Sequence, residues 1–200
     1  MASRSASARP AGPQYRIEPR DLRAHLFAVE LTIAEPAARQ QVALPVWIPG
    51  SYLVREFSRH LQNLQAIQSG RSIAVNQLDK CTWDIDAQPG SPLTLTYEVY
   101  AFDNSVRTAW LDGTRGFSNG TSLCLRVIGQ EDRPHRVDFQ PPAERPAWKL
   151  ATGLAPVKTT RRGFGQYLAA DYDELVDCPV EMGEFWQGDF KAAGIPHVLV

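Results

Sequence analysis

The chain has 200 residues, of which 44% are hydrophobic and 22% are charged, as is usual for a globular protein. Its 21 basic and 22 acidic residues give a net charge of −1, which offers no electrostatic case for binding nucleic acid or an anionic membrane. No run approaches 18 consecutive apolar residues, so no transmembrane helix is expected. This length is sufficient to bury a substantial core.

Residues 1–13 contain two prolines and no leucine, isoleucine, valine or aromatic residue. This composition predicts a disordered leader. The segment lacks the apolar centre of a secretory signal, so the default expectation is a cytoplasmic location. A signal removed beforehand would leave the same picture, which keeps a periplasmic location open.

Strand patterns dominate from residue 14 onward. Residues 23–33 place His25 and the apolar residues Phe27 to Ile33 on one face at a period of two. Strand-like sequence flanks the Pro49-Gly50 turn over residues 42–48 and 51–57. Residues 92–101 show the clearest alternation of apolar and polar residues. Shorter predicted strands span residues 73–75, 82–85, 122–128, 136–139, 148–151, 165–169, 184–190 and 194–200.

One short helix is predicted near the C-terminal end. Asp171 has the form of an N-terminal cap, Glu174 follows three residues later, and Pro179 ends the segment. Many short strands punctuated by 15 prolines and 14 glycines indicate an all-β fold. The predicted architecture is therefore an antiparallel β-sandwich with one short helix.

Cys81, Cys124 and Cys178 are odd in number and widely spaced. They match neither a disulfide framework nor a CxxC metal pattern, so free thiols are expected. None of the four histidines has another histidine four residues away, so the His-Glu-x-x-His zinc arrangement is absent from this chain. No Gly-x-Ser-x-Gly elbow occurs. We therefore assign no catalytic residue and no metal ligand.

The polar, glycine-rich residues 112–122 form the candidate binding loop. Its amides, Asn119 and Thr121 can hydrogen-bond a peptide end, and Asp112 can attract an amino terminus. The competing interpretation is a connecting loop whose glycines satisfy turn geometry. Tyr52 and Arg55 follow the Pro49-Gly50 turn, and they are expected to pair with neighbouring Glu56 and Arg59 or across a domain interface.

Three stretches of this chain resemble signatures of one family in the same order. They are residues 47–55 (WIPGSYLVR), 107–123 (RTAWLDGTRGFSNGTSL) and 171–185 (DYDELVDCPVEMGEF). They are similar to the amino-terminal domain of the glycyl aminopeptidase family of zinc metallopeptidases. The resemblance implies a parent enzyme with a thermolysin-like catalytic domain and a PDZ-type domain. That parent would remove amino-terminal residues, such as glycine or alanine, using zinc and a glutamate base.

The resemblance also implies the partners and the site. The chain would pack on its own catalytic domain, which would hold the zinc, and would help to shape the site for a peptide substrate. In related aminopeptidases the amino-terminal β-domain lends a polar residue to the free amine of the substrate. The candidates near the substrate or the interface are Tyr52, Arg55, Asp112, Asn119 and Thr121.

The expected organisation is a β-sandwich over residues 14–185, followed by final strands over 186–200 that lead toward the missing catalytic domain. An exposed apolar area is expected near Phe185, Trp186 or the last strand, where that domain would dock. The alternative is a free-standing β-sandwich that binds a carbohydrate or protein. Its candidate aromatic residues are Trp83, Trp110, Trp148 and Trp186.

Overall fold

The computed structural model describes residues 12–48, 50–51 and 53–200. The predicted leader over residues 1–13 lies almost entirely outside this part of the chain. Three short helices are present among the described residues: a 3-10 helix at Phe57–His60, α1 at Gly120–Leu123 and α2 at Tyr172–Asp177. The strands are β1 Gln14–Asp21, β2 Leu26–Ile33, β3 Arg39–Ala43, β4 Leu61–Gln68, β5 Arg71–Ile73, β6 Val75–Gln77, β7 Thr82–Asp86, β8 Leu93–Tyr100, β9 Ala109–Leu111, β10 Arg115–Ser118, β11 Arg126–Val127, β12 His135–Phe139, β13 Lys149–Thr152, β14 Ala155–Thr159, β15 Gly165–Ala169, β16 Val180–Gly183, β17 Gly188–Ala192 and β18 Ile195–Leu199.

The strands form one large sheet and three smaller ones. The large sheet has eight strands in the order β14-β15-β12-β1-β2-β8-β4-β5. Two four-stranded sheets have the orders β13-β16-β10-β9 and β11-β3-β7-β6, and β17 pairs only with β18. This confirms the predicted all-β sandwich. The prediction of antiparallel pairing fails at one place, because β12 lies parallel to β1. The long connection between them includes strands of both four-stranded sheets. It allows β12 to return in the same direction as β1.

Period-two alternation builds the centre of the large sheet. Leu31 on β2 lies opposite Leu95 on β8, and both are fully buried. The whole of β8 alternates between buried and partly exposed residues until Tyr100, as its sequence predicts. Apolar side chains from the large sheet and from both four-stranded sheets join one core. That shared core is what makes the three sheets one folding unit.

His25 departs from its predicted place on the face of a strand. It lies in the turn before β2 with a φ of 60°, a value uncommon for any residue but glycine. Its Nδ1 atom lies 2.5 Å from the carbonyl oxygen of Leu111, and its ring stacks on Phe102 with centroids 3.9 Å apart. His25 therefore joins the large sheet to β9 through this hydrogen bond instead of filling a strand face.

Two predicted strand regions adopt other conformations. The described residues between 44 and 56 contain only an isolated bridge between Ile48 and Ser51, and the 3-10 helix then begins at Phe57. The predicted strand over 122–128 is reduced to β11, because α1 occupies its beginning. Alternation of apolar residues cannot show that the backbone at Gly120 packs closely on α2.

The predicted helix near the C-terminal end is confirmed as α2. The Asp171 side chain accepts a hydrogen bond from the Glu174 amide at 2.8 Å, which is the expected capping contact. After β16 the predicted strand over 184–190 begins only at Gly188, and β17 and β18 then form a hairpin. No helix in the described part of the chain is long and apolar enough to cross a membrane.

Candidate functional site

Two of the three resemblance segments meet at α1, which lies in the second segment and contacts α2 of the third. The helix also contacts the 3-10 helix, which begins two residues after the first segment. A Cβ atom added at Gly120 would lie only 2.8 Å from the Leu175 carbonyl oxygen and 3.0 Å from the Val176 Cα atom. A glycine is therefore required for α1 to pack this closely on α2.

Buried tyrosines hold the chain that leaves α1. The hydroxyl groups of Tyr97, Tyr172 and Tyr15 donate to the consecutive carbonyl oxygens of Leu123, Cys124 and Leu125 at 2.6, 2.8 and 2.8 Å. Burial raises the pKa of each of these tyrosines, so all three remain neutral donors. The backbone that positions α1 is thereby fixed from three elements of the fold.

A surface cleft opens above α1, and we call it the junction cleft. It has a volume of about 410 Å³ and lies between the 3-10 helix and the loop at residues 102–108. Its lining residues are Val54, Arg55, Glu56, Phe57, Arg59, His60, Asp103 and Thr108. A cavity of about 10 Å³ at its base reaches Ser122 on α1, and this is space for one water-sized group. The cleft therefore connects solvent to the resemblance segments.

Two adjacent buried hydroxyl groups on α1 lack partners in the described part of the chain, and Ser122, which carries one of them, lines the base of the junction cleft. Thr121 and Ser122 are almost fully buried, and neither Thr121 Oγ1 nor Ser122 Oγ has a hydrogen-bond partner among the described residues. A buried hydroxyl without a partner costs about 1–3 kcal/mol. This cost marks α1 as a place where polar groups are retained at the expense of stability.

Charged side chains surround the mouth of the junction cleft. Glu56 pairs with Lys80 at 2.7 Å, and this hydrogen bond lowers the pKa of the Glu56 carboxyl. Arg59 Nε donates to His60 Nε2 at 3.0 Å, which requires a neutral imidazole. Burial and the Arg59 charge both lower the pKa of His60. Among the described residues, the side-chain partner of Glu56 is thus Lys80 and that of Arg59 is His60, while the expected pairing with Tyr52 or across a domain interface stays a prediction.

The structure brings three of the predicted site residues to this region. The guanidinium of Arg55 lines the cleft and donates to Ser51 Oγ at 3.3 and 3.4 Å. Asn119 precedes α1, and its Nδ2 atom donates to the Val106 carbonyl at 2.7 Å, so it fixes the loop that forms one wall. Thr121 is on α1 itself. Tyr52 lies outside the described residues.

Asp112 is placed elsewhere. It forms the turn between β9 and β10, where its Oδ1 atom accepts hydrogen bonds from the Thr114 amide and hydroxyl and from the Arg115 amide. Partial burial acts to raise the pKa of Asp112, but these hydrogen bonds outweigh it and hold the pKa below its usual value. The four residues of β10 lie between Asp112 and Asn119, and at about 3.3 Å per residue they span ~13 Å. The visible role of Asp112 is to form the turn.

The cleft also contains residues that the sequence analysis does not select. His60, Asp103, Thr108 and Ser122 all line it or its base. His60 follows the WIPGSYLVR segment by only five residues, which is the one sequence signal that points to it. Asp103 and Thr108 lie in irregular chain, where no period reveals the direction of a side chain, and Ser122 lies on α1, which the sequence pattern does not predict.

No site for a metal is present in the described ranges, which contain no group of three or more histidine, cysteine or acidic side chains able to hold a metal ion.

The tryptophans named for sugar binding lie in different parts of the structure. Trp83 and Trp148 are buried in the core, while Trp110 stacks on Phe102 with centroids 4.4 Å apart. Trp186 is 72% exposed beside the β17–β18 hairpin.

Comparison with known families assigns the chain. The family described as the Peptidase M61 N-terminal domain matches residues 14–184, which is most of the sequence. This chain belongs to that family. M61 is the glycyl aminopeptidase family, so the resemblance seen in the sequence is confirmed at this level. The match to the M61 N-terminal domain covers all three resemblance segments except the last residue of the third.

Solved structures agree with this assignment. An aminopeptidase N family protein from Idiomarina loihiensis has 44% sequence identity and a TM-score of 0.90 over 93% of this chain. The chain spans only 32% of that protein. An M1 zinc metallopeptidase from Deinococcus radiodurans shares the fold with 13% identity and a TM-score of 0.51, covering 90% of this chain and 43% of its own. Aminopeptidase A from Legionella pneumophila does so with 9% identity and a TM-score of 0.51, at 90% and 22% coverage. No curated protein sequence matches the chain.

Proposed function

We propose that this M61 N-terminal domain packs on the catalytic domain of a zinc-dependent aminopeptidase and forms part of the wall of its peptide site. The observation that carries the proposal is the junction cleft, whose base is lined by Ser122, a residue whose buried hydroxyl has no partner among the described residues. A peptide's amino end can satisfy such groups, because an ammonium has three donors and a hydroxyl oxygen can accept.

The surface around the cleft supports a docking role. Leu53 and Val54 next to the cleft and Val106 on its loop are each at least two-thirds exposed. Exposed apolar residues gathered near one polar cleft are typical of an interaction site. A catalytic domain seated there would cover this rim and close the cleft over a substrate.

The β17–β18 hairpin supports docking at a second place. One of its faces carries Phe190, Ile195 and Leu199, each more than half exposed, and Trp186 lies beside it. The apolar exposure expected near Trp186 is therefore confirmed. A lone two-stranded hairpin is marginally stable in water, so a further surface is expected to cover it.

The proposed zinc would be held by the catalytic domain. The described residues of this domain do not fit a zinc site, and the sequence contains no His-Glu-x-x-His pair. We therefore assign to this chain binding and positioning of the peptide, and we assign to it no step at the metal.

A chimera tests the proposal. The matching third of the Idiomarina loihiensis protein is replaced by this chain, and hydrolysis of glycyl and alanyl p-nitroanilides is compared with that of the unmodified protein. We expect the chimera to retain activity, and Ser122→Ala within it to raise KM while the melting temperature is unchanged or higher. A conservative change on the remote β5 edge, Arg71→Gln, is the control. Unchanged kinetics in Ser122→Ala would contradict a role for α1 in the peptide site.

A further inference from the structure

A second cleft lies on another part of the molecule, and we call it the proline cleft. It has a volume of about 750 Å³ and lies between the loop at residues 140–147 and the turn that joins β14 to β15. Pro141, Pro142 and Pro146 form its apolar wall, and the buried rings of Trp148 and Phe164 lie beneath it. Its size is within the range of sites that hold small molecules or short peptide segments. It shares no lining residue with the junction cleft.

Hydrogen bonds fix the turn that forms the other wall. The Arg162 guanidinium donates to the Pro146 carbonyl, and the Arg162 carbonyl accepts from the Leu150 amide at 2.8 Å. Gly163 has a φ of +86°, and a Cβ atom there would lie 2.2 Å from the Leu150 carbonyl oxygen. The proline rings restrict the opposite wall. The proline cleft is therefore formed before any ligand arrives, which reduces the entropy cost of binding.

The charge of the cleft selects an anion. Arg161 and Arg162 line it, and no acidic side chain does so among the described residues. Arg161 is exposed and has no hydrogen-bond or ion-pair partner in the described part of the chain. Its guanidinium is free to bind a carboxylate through two parallel hydrogen bonds. The remaining surface of the cleft is suited to apolar side chains.

The neighbouring strand favours a peptide over a lipid-type acid. β14 is an edge strand of the eight-stranded sheet, all of its residues are exposed, and it leads directly into Thr160 and Arg161. An edge strand offers unpaired backbone groups that an extended peptide can pair with. A fatty acid has no groups to match them.

We propose that the proline cleft binds a short peptide segment in which a carboxylate follows apolar side chains, with the carboxylate on Arg161 and the side chains on the proline wall. The occupied site would be separate from the peptide site proposed at the junction cleft. It would give the domain a second contact with a peptide or with a flexible chain segment of a partner.

The test is a nuclear magnetic resonance titration of the 200-residue chain with acetyl-leucyl-phenylalanine. We expect saturable shifts confined to the backbone amides of residues 155–164 and to the Trp148 indole. The same peptide with an amidated carboxyl end should bind at least about tenfold more weakly, because the charge-assisted hydrogen bonds are lost. Equal binding of the acid and the amide would overturn the proposal.

Variants and a lipid-type acid complete the test. Arg161→Gln should weaken binding of the acid about tenfold, because it removes the charge-assisted hydrogen bonds to the carboxylate. The fold should be unchanged, since this side chain has no partner among the described residues. Arg71→Gln removes the same charge at β5, on the opposite edge of the large sheet, and should leave binding unchanged. If Arg161→Gln binds like the unmodified protein, the assigned contact is wrong. If decanoate binds as tightly as the peptide, the peptide assignment is wrong.

Discussion

The Tyr97 hydroxyl donates a hydrogen bond to the Leu123 carbonyl oxygen at 2.6 Å and accepts one from the Leu125 amide at 3.2 Å. One side chain on β8 of the large sheet thus satisfies two backbone groups of the segment that leaves α1. All three residues are buried, so water does not reach these groups. The position of α1, and with it the base of the junction cleft, depends on this contact.

Tyr97→Phe should lower the free energy of unfolding by about 2–3 kcal/mol, because it leaves a buried amide and a buried carbonyl without a partner. Tyr172→Phe removes only one hydrogen bond, to the Cys124 carbonyl, and should cost about 1–2 kcal/mol. Urea unfolding followed by far-ultraviolet circular dichroism measures both. Equal losses in the two variants would show that the second contact of Tyr97 has no energetic value.

Gly120→Ala should destabilise the protein by about 1–3 kcal/mol, because the added methyl group meets the backbone of Leu175 and Val176. The control is Gly113→Ala, whose Cβ would lie 3.3 Å from the flexible end of Arg145. The control should change stability by less than about 0.5 kcal/mol. Thermal unfolding of both variants gives the comparison, and similar shifts would show that the packing of α1 on α2 is not tight.

Thr121→Val removes a buried hydroxyl that has no partner in the described part of the structure and keeps the shape of the side chain. It should leave the free energy of unfolding unchanged or raise it by up to about 1 kcal/mol. Urea unfolding of the isolated chain checks this. A loss greater than about 1 kcal/mol would show that the hydroxyl is bonded within the domain.

The burial of His135 predicts how the free energy of unfolding depends on pH. It is fully buried, its ring lies between those of Tyr15 and Tyr172, and burial lowers its pKa, although the Arg133 carbonyl and the charges of Asp171 and Glu131 act in the other direction. The unfolded chain binds a proton at this residue more readily than the folded chain does. The contribution of neutral His135 to the free energy of unfolding is therefore complete above the ordinary histidine pKa and falls as the pH decreases below it.

His135→Phe should therefore reduce the loss of stability between pH 7 and pH 5. His60 also has a lowered pKa, so part of the pH dependence should remain. The free energy of unfolding is measured by urea titration at several pH values in that interval. An unchanged slope in His135→Phe would contradict this assignment.

Cys124 should be unreactive in the native protein. It is fully buried, and burial raises the pKa of its thiol to about 12. Cys81 and Cys178 are partly exposed, and all three are free, as the sequence analysis predicts. With a thiol-specific chromogenic disulfide we expect at most two thiols to react before unfolding and the third only in urea. Cys124→Ala should leave the native count unchanged and reduce the unfolded count by one.

Much of the fold follows from the sequence by itself. Alternation identifies β8 and most of β2 because one face of each strand is buried against the core and the other is wetter. The cap of α2 is also local, since Asp171 and Glu174 are only three residues apart. The three resemblance segments identify the family because they are short, ordered phrases that need no knowledge of their contacts.

The tertiary structure alone decided how these parts meet. The sequence places Arg55 and Thr121 in one candidate set, but it cannot show that the 3-10 helix and α1 lie against each other, nor that Asp112 is carried away to the far end of β10. The same holds for α1 itself, which exists where alternation predicts a strand. Its conformation depends on the approach of Leu175 at Gly120 and on tyrosines from three distant elements. Such contacts join residues up to 110 positions apart, and their energies are those of burial and hydrogen bonding in the assembled core. No local period in the sequence records them.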